Sequence, residues 1–159
     1  MDKRHVFGAL RVLIGFLFLC LASACWVEAR GETEAPLGKI EHLKGGVVVQ
    51  RRNGPELRGE TGMNLYPGDQ ITTWKLAEVH FILPPGRQFR LGSEAQVSID
   101  ELSSSEGEDQ PPVMRLVLGY LWSKIEKLRG RKAAFDLYTP TAVLGVRGTE
   151  FETVVSLDA

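Results

Sequence analysis

The stretch F-D-L-Y-T-P-T-A-V-L-G-V-R-G-T-E-F-E-T-V-V, Phe135 to Val155, decides the fold of this chain. It predicts a strand, a turn, a bend and a second strand in succession. Thr139 precedes Pro140, which disfavours the α region at Thr139 and ends the first strand there. Gly145 and Gly148 permit a bend or bulge, because glycine accepts positive φ and close backbone approach. After the bend, alternating side chains predict the second strand.

The same period of two runs through the sequence upstream of this stretch. Apolar residues alternate with polar ones, which is typical of half-buried antiparallel strands. The apolar members are Ala77, Val79, Phe81, Leu83, Phe89, Leu91, Ala95, Val97 and Ile99. Turn signals such as Pro67-Gly68-Asp69 and Pro84-Pro85-Gly86 separate the runs. We therefore predict an all-β domain of short, mainly antiparallel strands, arranged as a roll or sandwich, with solenoid-like stacking as an alternative.

The segment from Met114 to Leu128 fits two periods. Helical spacing relates Leu118, Leu121, Trp122, Ile125 and Leu128, whereas strict alternation relates Met114, Leu116, Leu118, Tyr120 and Trp122. Gly119 in the middle disfavours a helix. We predict a strand here, with a helical turn near residues 125–128.

The N-terminus has the organisation of an export signal. Basic residues precede the apolar run Val12 to Leu21, and the small residues Ala22-Ser23-Ala24 follow it. Ala22-Ser23-Ala24-Cys25 also resembles a bacterial lipobox, which would make Cys25 a lipidated first residue. A third interpretation retains residues 6–27 as a membrane anchor. Residues 1–29 are thus a signal peptide, lipoprotein signal or anchor, 30–37 a polar lead-in, and 38–159 the β domain.

These features predict an exported protein of the periplasm or outer envelope, which is either free after cleavage of the signal or attached to the membrane through Cys25 or an uncleaved N-terminal helix. Both cysteines, Cys20 and Cys25, lie in the signal segment. The β domain therefore has neither a disulfide nor a thiolate metal site. The polar segment 103–112, S-S-S-E-G-E-D-Q-P-P, predicts a flexible loop. An acidic docking loop is the alternative.

No catalytic set is apparent in the sequence. His42 and His80 have no metal-ligand neighbour at useful spacing, and Glu150 with Glu152 is best interpreted as a solvated strand face. The net charge of −1, without a long basic block, argues against nucleic-acid binding. We predict a protein that is not an enzyme and needs no metal or cofactor.

The segment T-P-T-A-V-L-G-V-R-G-T-E-F, residues 139–151, resembles the closing motif of the FecR-type (ferric citrate regulator) domain. Residues 65–73 resemble the L-x-x-G-D-x-I-x-T element of that family, and residues 118–122 its L-x-x-G-x-Φ strand. The resemblance covers roughly residues 38–156. The positions that it marks as structural or binding residues are Thr139, Pro140, Gly145, Val146, Arg147, Gly148, Thr149 and Phe151.

The resemblance implies a signalling role linked to iron uptake. The regulator that names the family carries a cytoplasmic sigma-factor-binding region before its membrane helix. Only about a dozen residues precede the apolar run here, so direct sigma-factor control is not expected. We predict a non-enzymatic binding, scaffold or signalling module that docks on an envelope protein. A cell-wall or glycan-binding module and a membrane-anchored regulator of iron-uptake-type signalling are the alternatives.

Three side chains are candidates for binding. We expect Arg147 to pair with Glu150 or with backbone carbonyls and so to lock the bend. Its alternative role is the capture of a partner's carboxylate or of an anionic glycan. We expect Trp74 and Trp122 to be core anchors. The glycan-binding alternative instead requires one of these tryptophans to be exposed beside a groove.

Overall fold

The computed structural model describes residues 35–100, 113–127 and 135–156. The predicted signal segment with Cys25, and the polar segment 103–112, lie outside the described residues. Across the described ranges, no helix has the length and apolar character needed to span a membrane.

The described residues form strands joined by turns, without a helix. The strands are β1 (Gly38–Lys44), β2 (Val47–Gln50), β3 (Glu56–Arg58), β4 (Asn64–Leu65), β5 (Gln70–Thr73), β6 (Glu78–Leu83), β7 (Arg87–Leu91), β8 (Gln96–Asp100), β9 (Val113–Ile125), β10 (Phe135–Tyr138), β11 (Val143–Val146) and β12 (Glu150–Val155). The all-β prediction is confirmed.

The strands belong to one sheet with the order β3-β2-β5-β8-β9-β7-β6-β1-β4. β10 and β12 also pair with β9, and β11 pairs with β10. The pairing of β10 with β9 is parallel, and the other described pairs are antiparallel. The sheet curls on itself, since buried side chains from both of its halves form one hydrophobic cluster.

The predicted alternations form the core of this curled sheet. All nine apolar residues from Ala77 to Ile99 that the pattern selected are buried. Phe81 stacks on Phe89 with ring centroids 5.2 Å apart, and Phe89 meets Phe135 at 5.0 Å. The turn at Pro84-Pro85-Gly86 reverses the chain between β6 and β7, as its sequence predicts.

Strand β9 differs from the prediction in the phase of its alternation. Met114 and Leu116 are buried in its first half, but Leu121, Ser123 and Ile125 are buried in its second half. A single alternation that places Tyr120 and Trp122 with Leu116 is therefore wrong. The predicted helical turn is also wrong at its start, because Ile125 is the last residue of the strand.

Gly119 lies where the phase of β9 changes. Its φ is +92°, a value that side-chain-bearing residues rarely adopt. A Cβ at this position would lie 2.3 Å from Cβ and 2.6 Å from Cα of Ala95. The register with β8 also shifts beside this point, between Gln96 and Val97. Only glycine therefore allows β9 to change face while it stays against β8.

An ion pair between the half-buried Arg51 and the buried Asp69 holds the turn before β5. Asp69 is 1% exposed, pairs with Arg51 and accepts a 2.8 Å hydrogen bond from the Tyr66 amide. Arg51 also donates to the Asn64 carbonyl at 3.1 Å and lies 4.8 Å from the centre of the Tyr66 ring. Burial raises the pKa of Asp69 above its usual 3.8, although the Tyr66 amide and Arg51 oppose that shift.

Replacing Gly119 with alanine should lower the free energy of unfolding by about 3 kcal/mol, from strained φ and overpacking together. Gly62→Ala is the matched control, because Gly62 also has positive φ, +85°, but nothing within 4 Å of an added Cβ. Its cost should be about 1 kcal/mol. Urea unfolding measures both values, and equal losses would contradict the role given to the Ala95 contact.

Replacing Arg51 with methionine should destabilise the fold by about 2–3 kcal/mol at neutral pH, because the Asp69 carboxylate would stay buried without its cation. The native state already binds the Asp69 proton more tightly than the unfolded chain does. Lowering the pH through the folded pKa towards 3.8 therefore stabilises the fold through this group. This gain in stability should be larger in Arg51→Met, because Arg51 then no longer opposes the rise in the pKa of Asp69.

Urea unfolding at neutral and mildly acidic pH checks this prediction, with Asp69→Asn as the control that lacks the titrating group. A difference in stability between Arg51→Met and wild type that stays constant with pH would refute it.

Candidate functional site

The first family-motif residues close the β10–β11 hairpin. The Thr139 amide donates to the Ala142 carbonyl at 2.8 Å, and the Thr139 hydroxyl accepts from the Ala142 amide at 2.9 Å. β10 ends at Tyr138, directly before Thr139-Pro140. Thr139 thus has a structural task, the closure of a tight turn.

The second half of the motif forms the bend between β11 and β12. Val146 is buried, and Phe151 packs against the core. Gly148 has a φ of +66°, and a Cβ there would lie 2.6 Å from the Lys127 Cβ. The Thr149 carbonyl accepts a 2.8 Å hydrogen bond from the Ile125 amide. The bend therefore fastens β12 to the end of β9 without using the arginine.

Arg147 is exposed and does not make the predicted bonds. The Glu150 carboxylate accepts a 3.2 Å hydrogen bond from Trp122 Nε1 instead. Among the described residues, none forms an ion pair or hydrogen bond with the Arg147 side chain. The expectation that Arg147 locks the bend is wrong, because glycine geometry and backbone bonds already hold it. In the described part of the chain its guanidinium is exposed to solvent.

A row of five polar and aromatic residues crosses the outer face of the sheet, one from each of β1, β6, β7, β9 and β12. We call it the cross-sheet row: His42, His80, Arg90, Trp122 and Glu152. Each residue is the register partner of the next. Trp122 is half-buried on this face, so its predicted place in the core is wrong.

Contacts within the row and with its neighbours hold these side chains together. The rings of His42 and His80 are 6.0 Å apart, and His80 Nε2 lies 2.6 Å from Glu78 Oε1. That hydrogen bond lowers the pKa of Glu78. The Arg90 guanidinium lies 5.7 Å from the centre of the Trp122 ring, a cation–π contact.

Tyr120 links the row at its β12 end. Its hydroxyl donates to Glu152 at 2.7 Å and accepts from Arg90 at 3.4 Å. The bond to Glu152 raises the pKa of Tyr120, and the contact with Tyr120 raises the pKa of Arg90. These groups satisfy one another, which favours a structural or recognition face. Within the described ranges, no three histidine, cysteine or acidic side chains converge as metal ligands.

Trp74 is 63% exposed, so its prediction as a core anchor is wrong. It follows the last residue of β5 and lies beside a groove of about 400 Å³ that Thr72, Lys75, Glu94 and Gln96 also line. We call this the Trp74 groove. It satisfies the condition that the glycan-binding alternative sets.

A second groove, of about 450 Å³, lies between the end of β12 and the β10–β11 turn. Residues 139–142 form one side, and residues 153–156 form the other. Val154 is 68% exposed beside it. In the described part of the chain, β12 pairs with β9 alone, so its other edge is unpaired. We call this region the β12 edge groove.

A protein-family model described as FecR protein matches residues 69–159, more than half of the chain. The chain therefore belongs to the FecR family, as the closing motif predicted. No curated protein and no solved structure matches it. FecR proteins are a regulatory and signalling family, whose role in general depends on interactions between proteins. The matched span includes Asp69, the closing motif and the β12 edge groove.

Replacing Arg147 with alanine should change the free energy of unfolding by less than about 0.5 kcal/mol, because the side chain is exposed and unbonded among the described residues. Gly148→Ala, one residue away, should cost about 2 kcal/mol or more, since its Cβ would press on Lys127 at a positive φ. Thermal and urea unfolding distinguish the two. A large loss in Arg147→Ala would restore the structural role of the arginine.

Proposed function

We propose that this protein is a non-enzymatic signalling module of the bacterial envelope that docks an extended segment of an envelope protein along β12. The observation that carries the proposal is the unpaired outer edge of β12 within the described residues. An edge strand presents a row of amide and carbonyl groups, which an extended peptide satisfies by adding one more strand. Membership of a signalling family supports a protein as the ligand.

The side chains around β12 supply specificity for such a segment. Val154 and Val143 are large apolar residues that are exposed to solvent, and Leu144 lines the adjoining groove. Apolar side chains of the added strand would enter that groove. Arg147 lies three residues before β12 and has no bonded partner among the described residues, so it would pair with an acidic residue of the segment.

We further propose that the chain is exported to the periplasm or outer envelope through residues 1–29. Cys25 would be the lipidated residue if the lipobox interpretation holds, whereas an uncleaved segment 6–27 would make the protein an anchored regulator of iron-uptake-type signalling. The sequence pattern of the segment supports export. The intact mass of the protein recovered from cells distinguishes retention, cleavage and lipidation.

Replacing Val154 with lysine should abolish capture of the partner, because it replaces the exposed apolar side chain on which the added strand would pack with a charge. Stability should change little, since the side chain is already exposed. The measurement is a cross-linking pull-down of the full chain from envelope extract of the source cell, in which the partner is identified and its binding is then quantified with purified components.

Leu76→Lys is the matched control, because Leu76 is an exposed apolar residue in the turn between β5 and β6. It should retain the partner that Val154→Lys loses. Equal binding by both variants, or equal loss in both, would rule out docking on β12. Recovery of the chain with isolated cell wall, with no enriched protein, would favour a glycan ligand as the main one.

A further inference from the structure

We propose that the Trp74 groove binds a saccharide, with one hexopyranose ring stacked on the indole of Trp74. This site is separate from the β12 edge groove, and it extends the proposed function from protein docking to recognition of a glycan. The ligand class is a neutral, hexose-containing oligosaccharide.

The backbone that carries the indole of Trp74 is fixed by hydrogen bonds. Its amide donates to the Gly46 carbonyl at 2.9 Å, and its own carbonyl accepts from the Ala77 and Glu94 amides at 3.1 and 3.3 Å. A Cβ added at Gly46 would be in van der Waals contact with the Trp74 side chain, 3.5 Å from Cγ and 3.6 Å from Cδ2, so Gly46 leaves this side of the indole open. The exposed indole therefore projects from a backbone that is hydrogen-bonded through both its amide and its carbonyl.

Exposure of this tryptophan runs against the energetics of folding. Burial of a large apolar side chain stabilises a fold by roughly 1.5–3 kcal/mol, and Trp74 forgoes most of that gain. Leu76, two residues later, is 81% exposed. The exposed apolar patch adjoins a groove, which is where binding sites are expected.

Backbone strain is concentrated at the same place. Among the described residues, Leu76 and Glu94 are the non-glycine residues with positive φ, +60° and +52°. Each costs about 1–2 kcal/mol. Both belong to the two turns that bracket the groove, and the Ser93 hydroxyl joins these turns by accepting from the Leu76 amide at 2.8 Å. Such strain is characteristic of sites that must hold a binding geometry.

The polar lining of the groove suits a polyhydroxylated ligand. Thr72, Lys75, Glu94 and Gln96 contribute a hydroxyl, an ammonium, a carboxylate and an amide. Their side chains form no hydrogen bond or ion pair with any residue in the described ranges. Together they offer both donors and acceptors without a net charge, which matches sugar hydroxyls. The apolar C–H face of a hexose ring matches the indole.

The same groups disfavour a peptide strand or a lipid surface. The backbone of Trp74 is already bonded to Gly46, Ala77 and Glu94, so an added strand would find few unpaired groups there. The Glu94 carboxylate and the Lys75 ammonium would both be costly to bury in the apolar part of a bilayer interface. A saccharide makes use of the indole and of all four polar side chains.

The test is a binding titration of the full chain with chitotetraose, cellotetraose and maltotetraose, by calorimetry and ligand-observed NMR. Any detergent used with the full chain must lack a sugar headgroup, because such a headgroup would compete for the site. We expect saturable binding of at least one of these glycans, and the set distinguishes N-acetylated from plain hexoses. Trp74→Ala should weaken binding by about tenfold or more, and Trp74→Tyr should restore part of the loss. Unchanged unfolding curves would show that the variants fold.

Val154→Lys serves as the control, because it should retain saccharide binding while it loses the protein partner. The saccharide site and the proposed docking function can therefore be refuted independently of each other. Absence of binding to all three glycans, or equal binding by Trp74→Ala, would overturn the proposal. Sedimentation with phosphatidylethanolamine–phosphatidylglycerol vesicles that depends on Trp74 would also overturn it, since the patch would then be a membrane contact.

Discussion

The fold depends on one strand that serves both halves of the sheet. β9 pairs with β8 and β10 through its first half and with β7 and β12 through its second. Its buried face changes between the two halves, and the change is possible because residue 119 lacks a side chain where the chain touches Ala95. Without this change of face, Met114 and Leu121 would lie on opposite faces of the strand and could not both belong to one core.

This constraint also places the surfaces on which a function can be built. The second half of β9 carries Tyr120 and Trp122 outwards, where they meet Arg90 and the glutamates of β12. Among the described residues β12 has β9 as its one neighbour, so the opposite edge of β12 is unpaired. The contact at Ala95 fixes one wall of the Trp74 groove. The geometry of β9 therefore influences the position of both grooves.

Local sequence patterns predicted the strands and the core but not the surfaces. The alternation from Ala77 to Ile99 predicted which residues are buried, and the closing motif predicted the family. The phase change in β9 depends on a contact with Ala95, which no local pattern contains. The pairing of His42 with His80 arises from sheet register across 38 positions. The exposure of Trp74 likewise depends on where β5 ends. Glu150, the partner expected for Arg147, instead accepts a hydrogen bond from Trp122, which lies on another strand.

The unpaired outer edge of β12 can be tested through the hydrogen-exchange rate of each backbone amide from Glu150 to Val155, measured by NMR on the full chain. In an antiparallel edge strand, alternate residues bond to the neighbouring strand and the others point away. We predict slow exchange for the amides that face β9 and fast exchange for those between them. Uniform protection of the whole strand would show that its outer edge is already covered and is not available to a partner.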